Sequence, residues 1–341
     1  MSGFFMGVFL LLLSGCNRCY SPGHPPEARA LVIPDDVQHY IDQMEAKVND
    51  LKPDTHKKIF WAGEINTPSE YALVSIHGLA GSRLVQESAL RELAGKLNAN
   101  FFATRVAGHG QPAQYMSTVT AYDWVDSVYE AIAIGRKIGR KVVVACHSTS
   151  CPALAVVLAQ EFSHDLYAAI FLSPNFGARN RLSELLLYPG GLSLIRKLYG
   201  NTVSLERKKL TPYQQMLKQR FIKNIDAAAT LTFPIEALKP VMQVVRWGRC
   251  ADHSSAQMPL LFVYSPDDKT VNVSSIRKYR DRYINATTST LLVERNSIDL
   301  NSHLLIGQFT EPSQSKDIVS AIHKFIRQPH QQFIEHISLR K

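Results

Sequence analysis

Three residues that together can attack a carbonyl and move a proton are spread along this chain: Ser148, Asp268 and His303. Acyl transfer needs a nucleophile, a base that takes its proton, a group that orients the base, and amides that hold the oxyanion. Ser148 lies in Cys146-His147-Ser148-Thr149-Ser150, between the apolar runs Val142-Val143-Val144-Ala145 and Ala153-Leu154-Ala155-Val156-Val157-Leu158-Ala159. A strand that turns sharply into a helix at that point lifts the hydroxyl above the sheet. It also aims the helix N-terminus at negative charge developing in the transition state. Ser150 is the rival hydroxyl.

The acid candidate closes the stretch Phe262-Val263-Tyr264-Ser265-Pro266-Asp267-Asp268, just past a strand's C-terminal end, where an Asp can orient an imidazole. Read by itself, Ser-Pro-Asp-Asp is equally ordinary turn chemistry. The base candidate, His303, follows the last strand and precedes the last helix. Among twelve histidines, His164 and His253 lie near features with no such role, and His323 falls inside the closing helix. On the oxyanion side, Ala72-Leu73-Val74-Ser75-Ile76 runs into His77-Gly78-Leu79-Ala80-Gly81-Ser82. Glycine lets the backbone turn an amide inward. The amides of Leu79 and Thr149 are the expected oxyanion pair, and losing one such donor costs ~3 kcal/mol of transition-state stabilisation. A phosphate-binding glycine loop is excluded by the missing Gly-Lys-Ser/Thr and Gly-x-Gly-x-x-Gly spacings.

The elements that must position these groups alternate. The apolar pattern predicts a helix over 36–51, strands over 58–62 and 71–76, a helix over 84–97, a strand over 101–106 and a helix over 121–138. A strand over 142–146, a helix over 152–162 and a strand over 166–172 follow. After an interruption of about 80 residues, a strand over 260–264, a helix over 274–283, a strand over 290–293 and a closing helix over 316–326 complete the pattern. Short apolar strands separated by helices call for an α/β fold, a mostly parallel sheet covered on both faces. The interruption is too long for a loop and carries its own apolar pattern, so residues 176–257 are expected to form an inserted helical cap, with core segments at 31–175 and 258–341.

Together these residues resemble the α/β-hydrolase family, in particular its monoacylglycerol-lipase-like and carboxylesterase-like members. The resemblance covers most of the chain from about Lys58. It rests on His77-Gly78-Leu79-Ala80-Gly81, Gly108-His109-Gly110, Asp123-Trp124, the strand-to-helix turn, and Asp268 with His303. It implies Ser148 as nucleophile, Asp268 rather than Asp267 as acid, His303 as base, and oxyanion amides from Leu79 and Thr149. It departs from the family's Gly-x-Ser-x-Gly turn, because Cys146 and Ser150 replace both glycines; both side chains are small enough to keep the turn feasible.

The N-terminus reads separately. Phe4–Leu13 is apolar and too short to span a bilayer as a helix, and Leu13-Ser14-Gly15-Cys16 resembles the lipobox of bacterial lipoproteins. Residues 1–15 are therefore expected to be a signal peptide, Cys16 the lipidated residue and 16–30 a tether, although Met1-Ser2-Gly3 lacks the usual Lys or Arg. Cys19, Cys146, Cys151 and Cys250 could pair in an exported chain, with no connectivity fixed; Cys146 and Cys151 flank the turn on different elements and are expected instead to be small buried packing residues. Between Phe176 and Cys250 stand 13 Lys/Arg and 4 acids, so this segment carries the whole net charge of +9. It can face anionic lipid or attract an acidic substrate, or be a solvated surface.

No nucleic-acid-binding motif is present, no clustered His/Cys spacing calls for a metal, and the chemistry requires no cofactor. The expected function is hydrolysis of a carboxylic ester, with an acyl-ester small molecule or lipid as partner and a lipid anchor holding the domain at the cell envelope. A thioesterase or amidase would use the same groups. A catalytically inactive envelope protein that keeps the fold as a binding scaffold is the alternative.

Overall fold

The computed structural model describes residues 23–27, 31–205, 225–294, 298–299 and 301–337, with isolated positions between 212 and 219. The expected signal peptide, Cys16 and most of the tether lie outside the described residues.

Eight strands form one sheet: β1 (Lys58–Phe60), β2 (Ser69–Ile76), β3 (Asn100–Ala103), β4 (Gly139–His147), β5 (Ala168–Leu172), β8 (Leu260–Tyr264), β9 (Thr288–Val293) and β10 (Ile334–Ile337). Their order is β1-β3-β2-β4-β5-β8-β9-β10; β1 pairs antiparallel with β3 and every other pair is parallel. Strand side chains alternate between faces, and two cores result. Ala72, Val74 and Ile76 of β2 join helices α1 (Val37–Ala46), α3 (Ala121–Ile138) and α4 (Ser150–Leu158) on one face. Leu73 of β2 joins α2 (Glu87–Leu97) and the C-terminal helix Pro312–Arg327 on the other. The mostly parallel sheet covered on both faces is the α/β architecture expected.

Local signals explain the boundaries. Asp36 caps α1 by accepting from the His39 amide at 3.0 Å, and Thr120 with Asp123 forms a capping box at the start of α3. The helix expected over 36–51 ends at Ala46, and Asp50 adopts φ 56° in the turn beyond. The helix expected over 84–97 starts as a 3₁₀ turn, Arg83–Val85, before α2.

Residues 173–259 are inserted between the adjacent strands β5 and β8. They are not wholly helical: besides α5 (Gly191–Tyr199) they hold the antiparallel pair β6 (Thr202–Ser204) and β7 (Thr232–Pro234). The final helix of the insertion, α6 (Leu238–Cys250), belongs to the main core. Its Val241, Val244 and Trp247 pack there, and Gly248 lies so close to Pro152 that an added Cβ would come within 2.5 Å of it. Two further helices, α7 (Val273–Arg280) and α8 (Pro312–Arg327), complete the fold. Among the described residues no helix is long and apolar enough to cross a membrane.

Candidate active site

Strand β4 ends at His147, and α4 begins at Ser150, so only Ser148 and Thr149 make the turn between them. Ser148 holds φ 54°, a left-handed conformation unusual for a residue with a Cβ, and one that projects its side chain at the C-terminal edge of the sheet. Its amide donates to the Leu172 carbonyl at 3.0 Å, tying the turn to the neighbouring strand β5.

Asp268 follows β8, and His303 lies between β9 and α8. Across 155 residues the His303 Nε2 stands 2.9 Å from Ser148 Oγ, and across 35 residues its Nδ1 stands 2.7 Å from Asp268 Oδ2. The three side chains therefore form one hydrogen-bonded line. The other Asp268 oxygen accepts from the amides of Thr270 at 2.7 Å and Val271 at 3.0 Å, which fixes the carboxylate plane. Asp268 is 1% exposed, whereas Asp267 beside it faces solvent, so the structure separates the two adjacent candidates.

Burial disfavours the charged imidazolium of His303. The Asp268 carboxylate at Nδ1 and the charge of Asp299 outweigh it, so the pKa stands above its ordinary 6.5. His147 is pushed the other way, to about 3, first by burial and then by the charge of His303. It stays neutral, and its Nε2–H reaches the His303 carbonyl at 3.3 Å.

The oxyanion side is built from β2. Gly78 is required by space: a Cβ there would sit 2.9 Å from the His147 carbonyl oxygen and 2.9 Å from the Ser148 Cβ. Beyond it, the Ala80 amide donates to His109 Nε2 at 3.2 Å, and the Val106 amide donates to His77 Nε2 at 3.1 Å. Both imidazoles must be neutral to accept; burial holds His77 well below 6.5 and His109 at about 4. The returning end of the insertion grips the same loop, through Ser82 N to Ala228 O at 2.9 Å and Thr230 N to Ala80 O at 2.7 Å. Neither the Leu79 nor the Thr149 amide has an acceptor among the described residues, so both remain available to a ligand oxygen.

The rival hydroxyl is committed elsewhere. Ser150 is fully buried, accepts from the His147 amide at 2.9 Å and donates to the Ile76 carbonyl at 2.8 Å. It locks the start of α4 against β2.

The expectation for Cys146 and Cys151 is corrected: they form a disulfide, with Cα atoms 5.0 Å apart. They belong to different elements, but the tight turn at Ser148 folds the helix start back on the strand end. Cys250 is disulfide-bonded as well.

Sequence reading missed three supporting residues. Asp299 accepts from the amides of Asn301, His303 and Leu304 at 3.0, 2.7 and 2.7 Å and so shapes the loop that carries His303. Ser173 Oγ donates to the His303 carbonyl at 2.8 Å. Asn175 donates its amide to the Ser148 carbonyl at 3.0 Å, and its buried Oδ1 has no partner among the described residues. The spacing from Asp299 to His303, with an Asx-type turn between, was the one available signal. Among the described residues no His/Cys/Asp/Glu group is arranged to hold a metal ion.

The sequence matches the model of the alpha/beta hydrolase family over residues 73–300. The chain belongs to that family. Solved structures with the same fold include a metagenome-derived lipolytic enzyme of the LipS and LipT pair, with TM-score 0.60 and 14% identity, covering 82% of this chain and 100% of that one. The monoacylglycerol lipase of Paleococcus ferrophilus has TM-score 0.58 at 12% identity and covers 81% and 99%. A soluble variant of monoglyceride lipase from Saccharomyces cerevisiae, solved with a substrate analogue, has TM-score 0.58 at 12% identity and covers 81% and 92%. No curated protein matches the sequence. At these identities the likeness is one of fold, and in this alpha/beta hydrolase the Ser148–His303–Asp268 line occupies the C-terminal edge of the sheet, where the fold collects active sites.

Proposed function

We propose that this chain is a serine hydrolase of carboxylic esters, a carboxylesterase or a monoacylglycerol or lysolipid lipase. The observation that carries the reading is the continuous line from Ser148 Oγ through both nitrogens of His303 to Asp268, at 2.9 and 2.7 Å. Ser148 Oγ attacks the acyl carbon as His303 Nε2 takes its proton. The amides of Leu79 and Thr149 hold the oxyanion. Collapse of the tetrahedral intermediate breaks the bond to the alcohol, which leaves with the proton from His303. Water, deprotonated by the same imidazole, then attacks the acyl-Ser148 ester, and the acid departs with Ser148 regenerated. Asp268 keeps the imidazole in the Nδ1–H tautomer and stabilises its charged form.

An apolar acyl group suits the surroundings. Ala80, Met116, Phe233 and Ala237 form a buried apolar cluster with Leu79 packed against it, directly beside the oxyanion loop. The lipolytic structural neighbours agree with that choice of substrate class. The intact hydrogen-bonded line favours an enzyme over the scaffold alternative, because a site that had lost its reaction would be free to lose one of the three groups.

The same proposal places the enzyme at the cell envelope, anchored through lipid on Cys16. The lipobox-like Leu13-Ser14-Gly15-Cys16 supports it, and so do the disulfides at Cys146–Cys151 and Cys250, which persist in oxidising compartments. Cys16→Ser is expected to abolish incorporation of labelled fatty acid and release the protein from membranes; a Cys16→Ser protein that stays lipid-labelled overturns the anchor.

The catalytic reading is tested by a fluorophosphonate probe beside p-nitrophenyl esters and monoacylglycerols of graded chain length. Wild type should be labelled and turn over esters, and Ser148→Ala should do neither. An unlabelled wild type, or equal labelling of Ser148→Ala, ends the reading.

A further inference from the structure

We infer that the Cys146–Cys151 disulfide is a positioning device for the nucleophile, holding Ser148 and the Thr149 amide in catalytic register where this chain lacks the glycines usual at such a turn. The inference rests on the reading of Ser148 as nucleophile.

The bridge spans the turn itself. Cys146 lies two residues before Ser148 on the last rungs of β4, and Cys151 lies three residues after it in the first turn of α4. Both are fully buried, and their Cα separation of 5.0 Å is within the range a disulfide spans. The ring they close contains His147, Ser148, Thr149 and Ser150, and so holds the nucleophile and one expected oxyanion amide.

That ring has a task. Ser148 sits at φ 54°, where a Cβ crowds the following carbonyl, and the turn relaxes toward ordinary backbone angles unless its ends are held. In a Gly-x-Ser-x-Gly turn the flanking positions have no side chains, so strand and helix close tightly. Here the flanks carry Cys146 and Ser150, and each is tied down: Ser150 by its bonds with His147 N and Ile76 O, Cys146 by its covalent link to the helix. Remaining restraints on the turn, such as Asn175 N to Ser148 O, are single hydrogen bonds.

A disulfide closing so short a ring removes little entropy from the unfolded chain, so its contribution to global stability is small compared with one that closes a long loop. Its effect is concentrated on the turn. Loss of the bridge should therefore lower kcat more than it changes KM or the melting temperature.

The test compares wild type with Cys146→Ala/Cys151→Ala in the full chain, measuring kcat, KM, the rate of fluorophosphonate labelling and thermal unfolding. Misplacing a reacting group by an ångström costs on the order of a hundredfold. The expected result is a fall in kcat and labelling rate of roughly tenfold to a hundredfold, with KM within about twofold. A folded double variant with wild-type kcat and labelling rate overturns the inference and leaves the hydrolase reading standing. A wild type that is not labelled overturns the hydrolase reading itself. If the double variant does not fold, wild type is reduced with a phosphine, which cleaves the S–S bond to two thiols and takes oxygen from water to become phosphine oxide. Turnover is followed against the fraction of the Cys146–Cys151 bridge still closed by mass spectrometry. A kcat that falls with that fraction and returns on reoxidation supports the inference; a kcat unchanged with the bridge open overturns it.

Discussion

Gly78→Ala is the sharpest perturbation of the oxyanion side. The added methyl would lie 2.9 Å from the His147 carbonyl oxygen, 2.9 Å from the Ser148 Cβ and 3.0 Å from His147 Nδ1. Non-bonded atoms of this kind settle near ~3.5 Å, so the end of β2 and the turn at Ser148 must part by about half an ångström. Leu79, the next residue, carries one of the two amides proposed to hold the oxyanion, while Ala80 and Ser82 are held by Thr230 and Ala228. The loop therefore cannot slide as a whole, and the displacement falls on the Leu79 amide. Deleting an oxyanion donor costs ~3 kcal/mol; displacing one should cost about 2–3 kcal/mol, or roughly 30- to 150-fold in kcat. Overpacking also lowers stability by about 1–3 kcal/mol. Turnover is therefore measured well below the melting temperature, with enzyme concentration set by active-site titration. A Gly78→Ala enzyme whose kcat lies within about threefold of wild type would refute the placement of the oxyanion hole at Leu79.

Three other outcomes are expected. Ser150→Ala loses a buried hydroxyl that serves two backbone groups, so it should unfold about 1–3 kcal/mol more easily in urea yet still be labelled at Ser148; labelling lost from Ser150→Ala and kept in Ser148→Ala would make Ser150 the nucleophile. Because the pKa of His303 is raised, the imidazole is protonated and inactive at low pH, and kcat/KM followed by pH-stat should rise with a midpoint above 6.5. The ion pair with Asp268 stabilises the fold below pH 6.5, and that contribution disappears as pH climbs through the folded-state value; a kinetic midpoint at or under 6.5 contradicts both statements. Asp299→Ala removes the acceptor of three loop amides and a negative charge near His303, so kcat should fall and the acidic limb should move to lower pH; an unmoved limb would reduce Asp299 to a purely structural role.

How much of this was legible in the sequence depends on where the information resides. The strands β2, β4, β5 and β8 are buried on both faces and read as continuous apolar runs, so their existence and order were evident. Strand β10, Ile334-Glu335-His336-Ile337, has no such run; it forms because β9 offers an open edge, a fact of tertiary structure. The same holds for β6 and β7, three residues each, which among the described residues pair with one another and not with the main sheet. Ser148, Asp268 and His303 could be found because each sits at or beyond a strand end. Asp299, Ser173 and Asn175 act through backbone amides and carbonyls, and apart from the spacing of Asp299 to His303 their sequence neighbourhoods do not reveal which backbone group will face them. The disulfide escaped for a geometric reason: Cys146 and Cys151 are assigned to a strand and a helix, and only the sharpness of the turn at Ser148 brings their Cα atoms to 5.0 Å.

The chain leaves the sheet after Leu172 and comes back at Leu260 on the strand next door, with Leu172 opposite Val263. Because the two strands are parallel, the chain leaves at one edge of the sheet and returns at the other, where Leu260 lies opposite Ala169, and α6 makes the last part of that crossing as a member of the main core. Midway through that crossing, Ala228 and Thr230 latch the loop that carries Leu79. Replacing the stretch that holds Ala228 and Thr230 would therefore free the Gly78–Ser82 loop as well as the insertion itself.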